Sequence, residues 1–258
     1  MDTIKFEAGA DGIGWLLLNR PERMNGMTNR MLRETFECLT EVAGRRDIRV
    51  LVLTGEGRGF CPGADLKHFA AGEVDDPASI EAFKVPLLLH TMPQITIAGI
   101  NGACAGAGFG WAAACDLRFA AQSATFNSAF LNVASAGDMA GPWTLPRLIG
   151  AAKARELYFL PAKFFAEDAL RMGLVSEVYP TEGFRDTLAA TAARLAVASP
   201  YALRMMKQNF LDAETLPLDS YIELESRRHV DVMARDDAKE AFRAFVEKRP
   251  PRFADAGD

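Results

Sequence analysis

Apolar positions along the chain fall into short unbroken runs separated by segments with helical spacing. Gly14-Trp15-Leu16-Leu17-Leu18 predicts a strand, ended by Asn19-Arg20-Pro21-Glu22. Met31, Leu32, Thr35, Phe36, Leu39 and Val42 then recur at helical spacing, with Thr28 as cap and Gly44 as stop. Val50-Leu51-Val52-Leu53-Thr54 is apolar almost throughout and bounded by Gly55, as a strand covered on both faces should be. A Gly- and Arg-rich loop is expected over 55–63, a short helix over 64–69 and a polar, mobile loop over 72–77. Residues 80–90 read as a helix. Residues 95–100 read as a second buried strand, which Asn101-Gly102 turns into an apolar helix over 106–114. Strands are expected at 117–120 and 124–126.

After Gly141 the pattern becomes helical, over 143–148, 151–160 and 166–172, around one short strand at 176–179. Helices over 184–198 and 201–212 are split by Ser199-Pro200, and a final helical region over 218–246 stops at Pro250-Pro251. The alternation predicts an α/β fold with mostly buried strands.

With 258 residues, 49% of them hydrophobic, the chain can bury a large core, which excludes a disordered protein. Its net charge of −5 offers no basic surface for a phosphate backbone, so no nucleic-acid partner is expected. Cys38, Cys61, Cys104 and Cys115 form no C-x-x-C pair, and His68, His90 and His229 are scattered, so no metal site is expected. Reduced thiols suit a cytoplasmic protein. Met1-Asp2-Thr3-Ile4-Lys5 predicts no signal peptide, and the low-charge stretch 95–114 is too rich in glycine for a membrane span.

Two glycine turns carry the candidate chemistry. The strand at 50–54 leads to Arg58-Gly59-Phe60-Cys61-Pro62-Gly63-Ala64-Asp65, and the strand at 95–100 leads to Asn101-Gly102-Ala103-Cys104-Ala105-Gly106-Ala107-Gly108. Each is strand, small-residue turn, helix start. Helix starts carry unpaired N–H groups and the positive end of a dipole, and small side chains let a ligand approach the backbone. If the strands are neighbours, two N–H groups converge on one oxygen and form an oxyanion hole. Close helix packing without chemistry explains either turn alone. A dinucleotide fingerprint fails, because Trp111 occupies its last glycine position.

At these residues the chain resembles the enoyl-CoA hydratase/isomerase (crotonase) superfamily. The resemblance covers Asn19-Arg20-Pro21-Glu22-Arg23-Met24-Asn25, Gly59 to Leu66, Ile100 to Asp116, Leu145-Pro146-Arg147-Leu148-Ile149-Gly150, Ala169 to Val178 and Ala244-Phe245-Val246-Glu247-Lys248-Arg249. It implies a crotonase-like spiral of β-β-α units over 1–200. A C-terminal helical region over 201–258 would build a homotrimer or hexamer and complete the CoA site. It also implies an acyl-CoA thioester substrate, with coenzyme A entering as part of the substrate and no other cofactor. Ala64 and Ala107 match the two positions whose N–H groups hold the thioester oxygen. Arg23 matches a basic residue near the pantetheine and phosphates. Ala64, Asp65, Leu66 and Lys67 match the stretch lining the adenine pocket, and Phe245 and Lys248 match residues that reach CoA, often across a subunit interface. Arg23, Lys67 and Lys248 are individually also ordinary solvated charges.

The chain departs from the two-glutamate hydratases of this family. Gly110 stands where the first glutamate is expected and Phe130 where the second is. Ala134-Ser135-Ala136-Gly137-Asp138-Met139-Ala140-Gly141 supplies another carboxylate, Asp138, where some isomerases keep a single acid/base and aromatic-CoA dehalogenases a nucleophile. Its apolar surroundings, with Met139, Ala140, Trp143, Phe130 and Phe109 as candidate walls, would raise its pKa. The competing assignment is a helix N-cap. Asp65 and Asp116, at element boundaries, are expected to be structural. Double-bond isomerisation by Asp138 is the reading favoured. Hydration by an Asp138-held water, a hydrolase or dehalogenase with an Asp138 nucleophile, and a silent acyl-CoA-binding protein stay open. Phe69, Phe83, Leu87, Phe109, Phe130 and Trp143 are candidates to line an acyl pocket, with core packing the default for such residues and the 72–77 loop a candidate gate.

Overall fold

A computed structural model describes residues 1–72 and 77–253. The 72–77 loop therefore falls largely outside the described residues. In chain order the elements are β1 (Ile4–Ala8), β2 (Ile13–Leu18), α1 (Asn29–Ala43), β3 (Val50–Gly55), α2 (Leu66–Ala70), α3 (Val85–Thr91), β4 (Ile95–Ile100), β5 (Ala103–Ala105), α4 (Gly106–Ala114), β6 (Leu117–Ala121) and β7 (Thr125–Asn127). Then come α5 (Gly141–Ile149), α6 (Ala151–Phe159), β8 (Phe164–Phe165), α7 (Ala166–Arg171), β9 (Glu177–Tyr179), α8 (Phe184–Ala196), α9 (Pro200–Ala213), α10 (Leu218–Ala234) and α11 (Asp236–Glu247).

The larger sheet has the order β1-β2-β3-β4-β6-β9, antiparallel only between β1 and β2. The uniform apolarity of β3 has a direct cause. Leu51 and Leu53 pack into a core beneath α1, α3 and α4, while Val50 and Val52 pack with Ile97, Phe119, Leu188 and Ala192 beneath α8. Alternate residues of a strand face opposite sides, and here both sides are covered.

A second sheet has the order β5-β7-β8, and Cys61 joins it through a parallel bridge to Cys104. Strand, short extended segment and helix thus recur as β3, the segment at Cys61, α2 and then β4, β5, α4. The β-β-α spiral expected from the sequence is present.

Several boundaries differ from the sequence expectation. The 80–90 helix is a 3-10 turn over Ile80–Lys84 followed by α3, with Pro86 in the first turn of α3. The 218–246 helix breaks at Arg235, whose backbone is extended (φ −78°, ψ 158°). β1, β5 and β8 were not anticipated. Thr28 caps α1 by accepting from Met31 N–H, and Asp65 caps α2 by accepting from His68 N–H, as their positions imply.

Candidate active site

β3 and β4 are parallel neighbours in register from Val50↔Ile95 to Thr54↔Gly99, so the two turns leave the same end of the sheet side by side. A Cβ on Gly63 would lie 3.2 Å from the Ala105 carbonyl oxygen and 3.5 Å from Gly106 Cα, and a Cβ on Gly108 would collide with the Cys61 carbonyl. Glycine is required for this approach.

The backbone pairing fixes where the Ala64 N–H points. Met27 N–H donates to Gly63 O at 2.8 Å, and Asp65 N–H donates to Met27 O at 2.9 Å. Peptide groups alternate in direction along an extended segment. The Ala64 N–H therefore points away from Met27. Ala107 is the second residue of α4, whose cap Ala105 offers no side-chain acceptor. Among the described residues no protein acceptor takes either N–H. Ala64 is exposed and Ala107 buried.

Asp138 lies in a tight turn before α5. Gly137, Met139 and Ala140 all have positive φ, of 103°, 52° and 58°. A left-handed residue other than glycine costs ~1–3 kcal/mol and persists only where its surroundings enforce it. The cap of α5 is Ala140, with no side-chain hydrogen bond, so Asp138 is not a helix cap. Its Oδ1 is buried without a hydrogen-bond partner, and burial pushes its carboxyl above the usual aspartate range. The field of Asp138 is also felt at the Cys61 thiol, which burial pushes up to about 12. Asp138 is thus near the first turn in space.

The walls differ from those expected. Phe109 packs edge-on against Phe126 and Phe164 in the core, and Trp143 turns toward His90, with its ring 5.1 Å away, and beneath the Arg147 guanidinium. Tyr158 of α6, which the sequence did not single out, replaces them. It stacks on Phe130, and its ring lies 3.3 Å from where a Cβ on Gly137 would be. Phe69, Phe83 and Leu87 are not core residues, since each exposes much of its side chain.

Among the CoA-binding candidates, Arg23, Leu66 and Lys67 are exposed beside the first turn; against its burial, the Asp65 carboxyl is lowered by the His68 N–H and by Arg20, with Arg23 adding to them. The Asp65 side chain is engaged by His68 N–H and by Arg20 at 2.9 Å, a structural role. Asp116 is likewise structural. Its Oδ2 accepts from Thr96 N–H at 2.7 Å, from the Thr96 hydroxyl and from Lys207 Nζ at 2.8 Å. Phe245 and Lys248 sit at the exposed end of α11, which packs on α10. A cavity of about 420 Å³ lies apart from the turns, lined by His90, Trp143, Arg147, Lys207 and Phe210 among others.

Residues 8–256 match the family model for enoyl-CoA hydratase/isomerase. The chain is 37% identical to a probable enoyl-CoA hydratase of Rhodobacter capsulatus, over 97% of each. It is 38% identical to the 1,2-epoxyphenylacetyl-CoA isomerase of Escherichia coli K12, over 94% of this chain and 95% of that one. It is 35% identical to the (E)-benzylidenesuccinyl-CoA hydratase of Thauera aromatica, over 95% and 96%. The crystal structure of an enoyl-CoA hydratase from Bacillus anthracis superposes with a TM-score of 0.90 at 29% identity, covering 98% of this chain and 100% of that one. By family model, sequence and fold together, the chain belongs to the enoyl-CoA hydratase/isomerase family.

Proposed function

We propose that this enzyme moves the double bond of an enoyl-CoA, using Asp138 as its single acid/base and the Ala64 and Ala107 N–H groups as an oxyanion hole. The observation that carries the reading is the crowding at Gly110. A Cβ there would lie 2.5 Å from both Cβ and O of Met139, so the first hydratase glutamate has no room. Phe130, at the place of the second, is buried against Tyr158. Asp138 is the carboxylate left to act.

A 3-enoyl-CoA binds with its thioester oxygen between the two amides. Asp138 takes a proton from C2, giving a dienolate whose negative charge lies on that oxygen. Each fixed donor contributes about 3–4 kcal/mol there. The protonated Asp138 then delivers the proton to C4, yielding the 2-enoyl-CoA with the enzyme unchanged. Burial raises the Asp138 carboxyl above the usual aspartate range, which makes it a stronger base than an exposed aspartate.

The CoA moiety meets Arg23 and the 64–67 stretch. Phe210, Phe242, Phe245 and Val246 expose large apolar surfaces on the C-terminal helices. A homotrimer or hexamer would cover them and bring Phe245 and Lys248 of one copy to the CoA of another. Hydration is the second reading, favoured by the names of two of the relatives. The test is an acyl-CoA panel that follows hydration and double-bond migration separately, on wild type and Asp138→Ala. Migration lost in the variant with CoA binding intact is the expected result. Undiminished turnover would remove Asp138 from the mechanism.

A further inference from the structure

A cleft of about 340 Å³ lies between the end of α1, the start of β4 and the first turns of α9. Arg45, Arg46, Arg49 and Arg204 line it, and among the described residues no carboxylate does. The chain as a whole carries a net charge of −5, so guanidinium groups gathered around one cleft reverse the sign locally. Like charges held together repel, and an anion between them relieves that repulsion.

The arginines reach the cleft from three parts of the fold. Arg45 and Arg46 follow α1, Arg49 precedes β3, and Arg204 belongs to α9. Arg45 is held by Asp47, which does not line the cleft. Arg49 donates to the Ala196 carbonyl at 2.7 Å, and the Arg204 guanidinium lies 5.7 Å from the centre of the Tyr201 ring. A guanidinium has five N–H donors in a fork, so arginines engaged in this way keep donors to offer. Burial lowers the Arg204 guanidinium from its usual range, and the Arg46 charge lowers it further, so these two cations feel one another. Neutralising the negative end of α1 does not account for the cluster. That end is already served, because Gln94 Nε2 donates to Val42 O and to Arg45 O, each at 2.8 Å, and Gly44 N–H donates to Glu41 O. The cleft also adjoins the N-terminal end of α9, whose dipole adds positive potential.

We propose that this cleft is a binding site for a small phosphorylated anion, with a pyrophosphate group as the chemistry it recognises. Guanidinium forks match phosphate oxygens two at a time, and several converging on one cleft favour a multiply charged ligand. The site is separate from the oxyanion turns. Arg49 and Gln94 stand just before β3 and β4, whereas the turns leave the far ends of those strands, and a strand of six residues spans about 20 Å.

The experiment titrates pyrophosphate and ADP into the full chain by calorimetry at constant ionic strength. Pyrophosphate should bind, and Arg204→Gln and Arg46→Gln should each weaken it about 10-fold, as loss of one charge-assisted hydrogen bond allows. Arg46 is exposed, so its variant keeps the test open if Arg204→Gln unfolds. Arg58→Gln, at the other end of the sheet, should leave the affinity unchanged. Equal affinity for both probes makes the free anion the ligand, and tighter binding of ADP makes it a nucleotide. Absence of pyrophosphate binding overturns the site. So does an affinity that both cleft variants retain, as binding at the acyl-CoA site would, or one that Arg58→Gln lowers equally. None of these outcomes bears on the proposed isomerisation, which has its own test.

Discussion

Gly110 and Met139 are in direct backbone contact: a Cβ at residue 110 would lie 2.5 Å from the Cβ and from the carbonyl oxygen of Met139. Trp111 reinforces the contact, its Nε1–H meeting Met139 Sδ at 3.2 Å. The left-handed backbone of Met139 brings it this close to α4, and the same turn presents Asp138. Absence of a glutamate at 110 and presence of an aspartate at 138 are therefore one packing decision.

Gly110→Ala should consequently disturb Asp138 without touching it. The added methyl must push Met139 away, at a cost of about 1–3 kcal/mol for overpacking. Turnover should fall at least 10-fold, and Gly110→Glu should gain no hydration. Thermal unfolding and the two acyl-CoA assays read the two effects. Wild-type activity in Gly110→Ala would show that Asp138 does not depend on this contact.

Ala107→Pro separates the oxyanion hole from the fold. Residue 107 is in the first turn of α4, where proline is tolerated because its N–H has no helical acceptor. The preceding residue, Gly106, carries no side chain to clash with the ring. Turnover should fall by about 100–1,000-fold, the usual loss of one donor, with the unfolding midpoint nearly unchanged. Retention of turnover would show that the thioester oxygen lies elsewhere.

The strands that carry the turns could be read from the chain because burial on both faces leaves an unbroken apolar run, as at Val50 to Leu53. β1 alternates apolar and polar residues over only five positions, and β8 has two, too few for a periodic signal. The break at Arg235 has no glycine or proline at the break itself. In the site, the spacing of the two turns and the isolated carboxylate at 138 are local features, and local features are legible. Tyr158 was not. It sits in the helical run Glu156-Leu157-Tyr158, where it resembles any core aromatic, and only tertiary packing lays it along the Asp138 turn. The crowding that empties position 110 is likewise invisible until Met139 is placed.

Lys207 shows the same limit for stability. Lys207 is buried at 5% exposure, its ammonium donating to Asp116 and to Gln94 O, both at 2.8 Å, and so pins α9 to the start of β4. Burial pulls its pKa down even beside Asp116. Lys207→Met should cost about 1–3 kcal/mol, because it leaves the half-buried Asp116 carboxylate without its cation and the Gln94 carbonyl without its donor. Lys207→Met with Asp116→Asn should recover part of the loss. Urea denaturation measures both, and additive losses would show that the pair is not coupled.

Asp138 should trade stability for activity. Burial raises its carboxyl above the ordinary aspartate value of 3.8. Between 3.8 and the raised value the folded chain holds a proton that the unfolded chain has released. Stability is therefore highest below that window, falls as pH rises through it and stays lowered above it. Asp138→Asn cannot ionise, so at neutral pH it should unfold later than wild type and lose that advantage near pH 3. Catalysis runs the other way, since the base must be ionised. Wild-type kcat/KM should fall on the acid side with an apparent pKa above that of an ordinary aspartate, and Asp138→Asn should be inactive across the range. A variant that is both inactive and less stable at neutral pH would mean that the fold favours the carboxylate, and Asp138 would then be a structural anchor rather than a strained base.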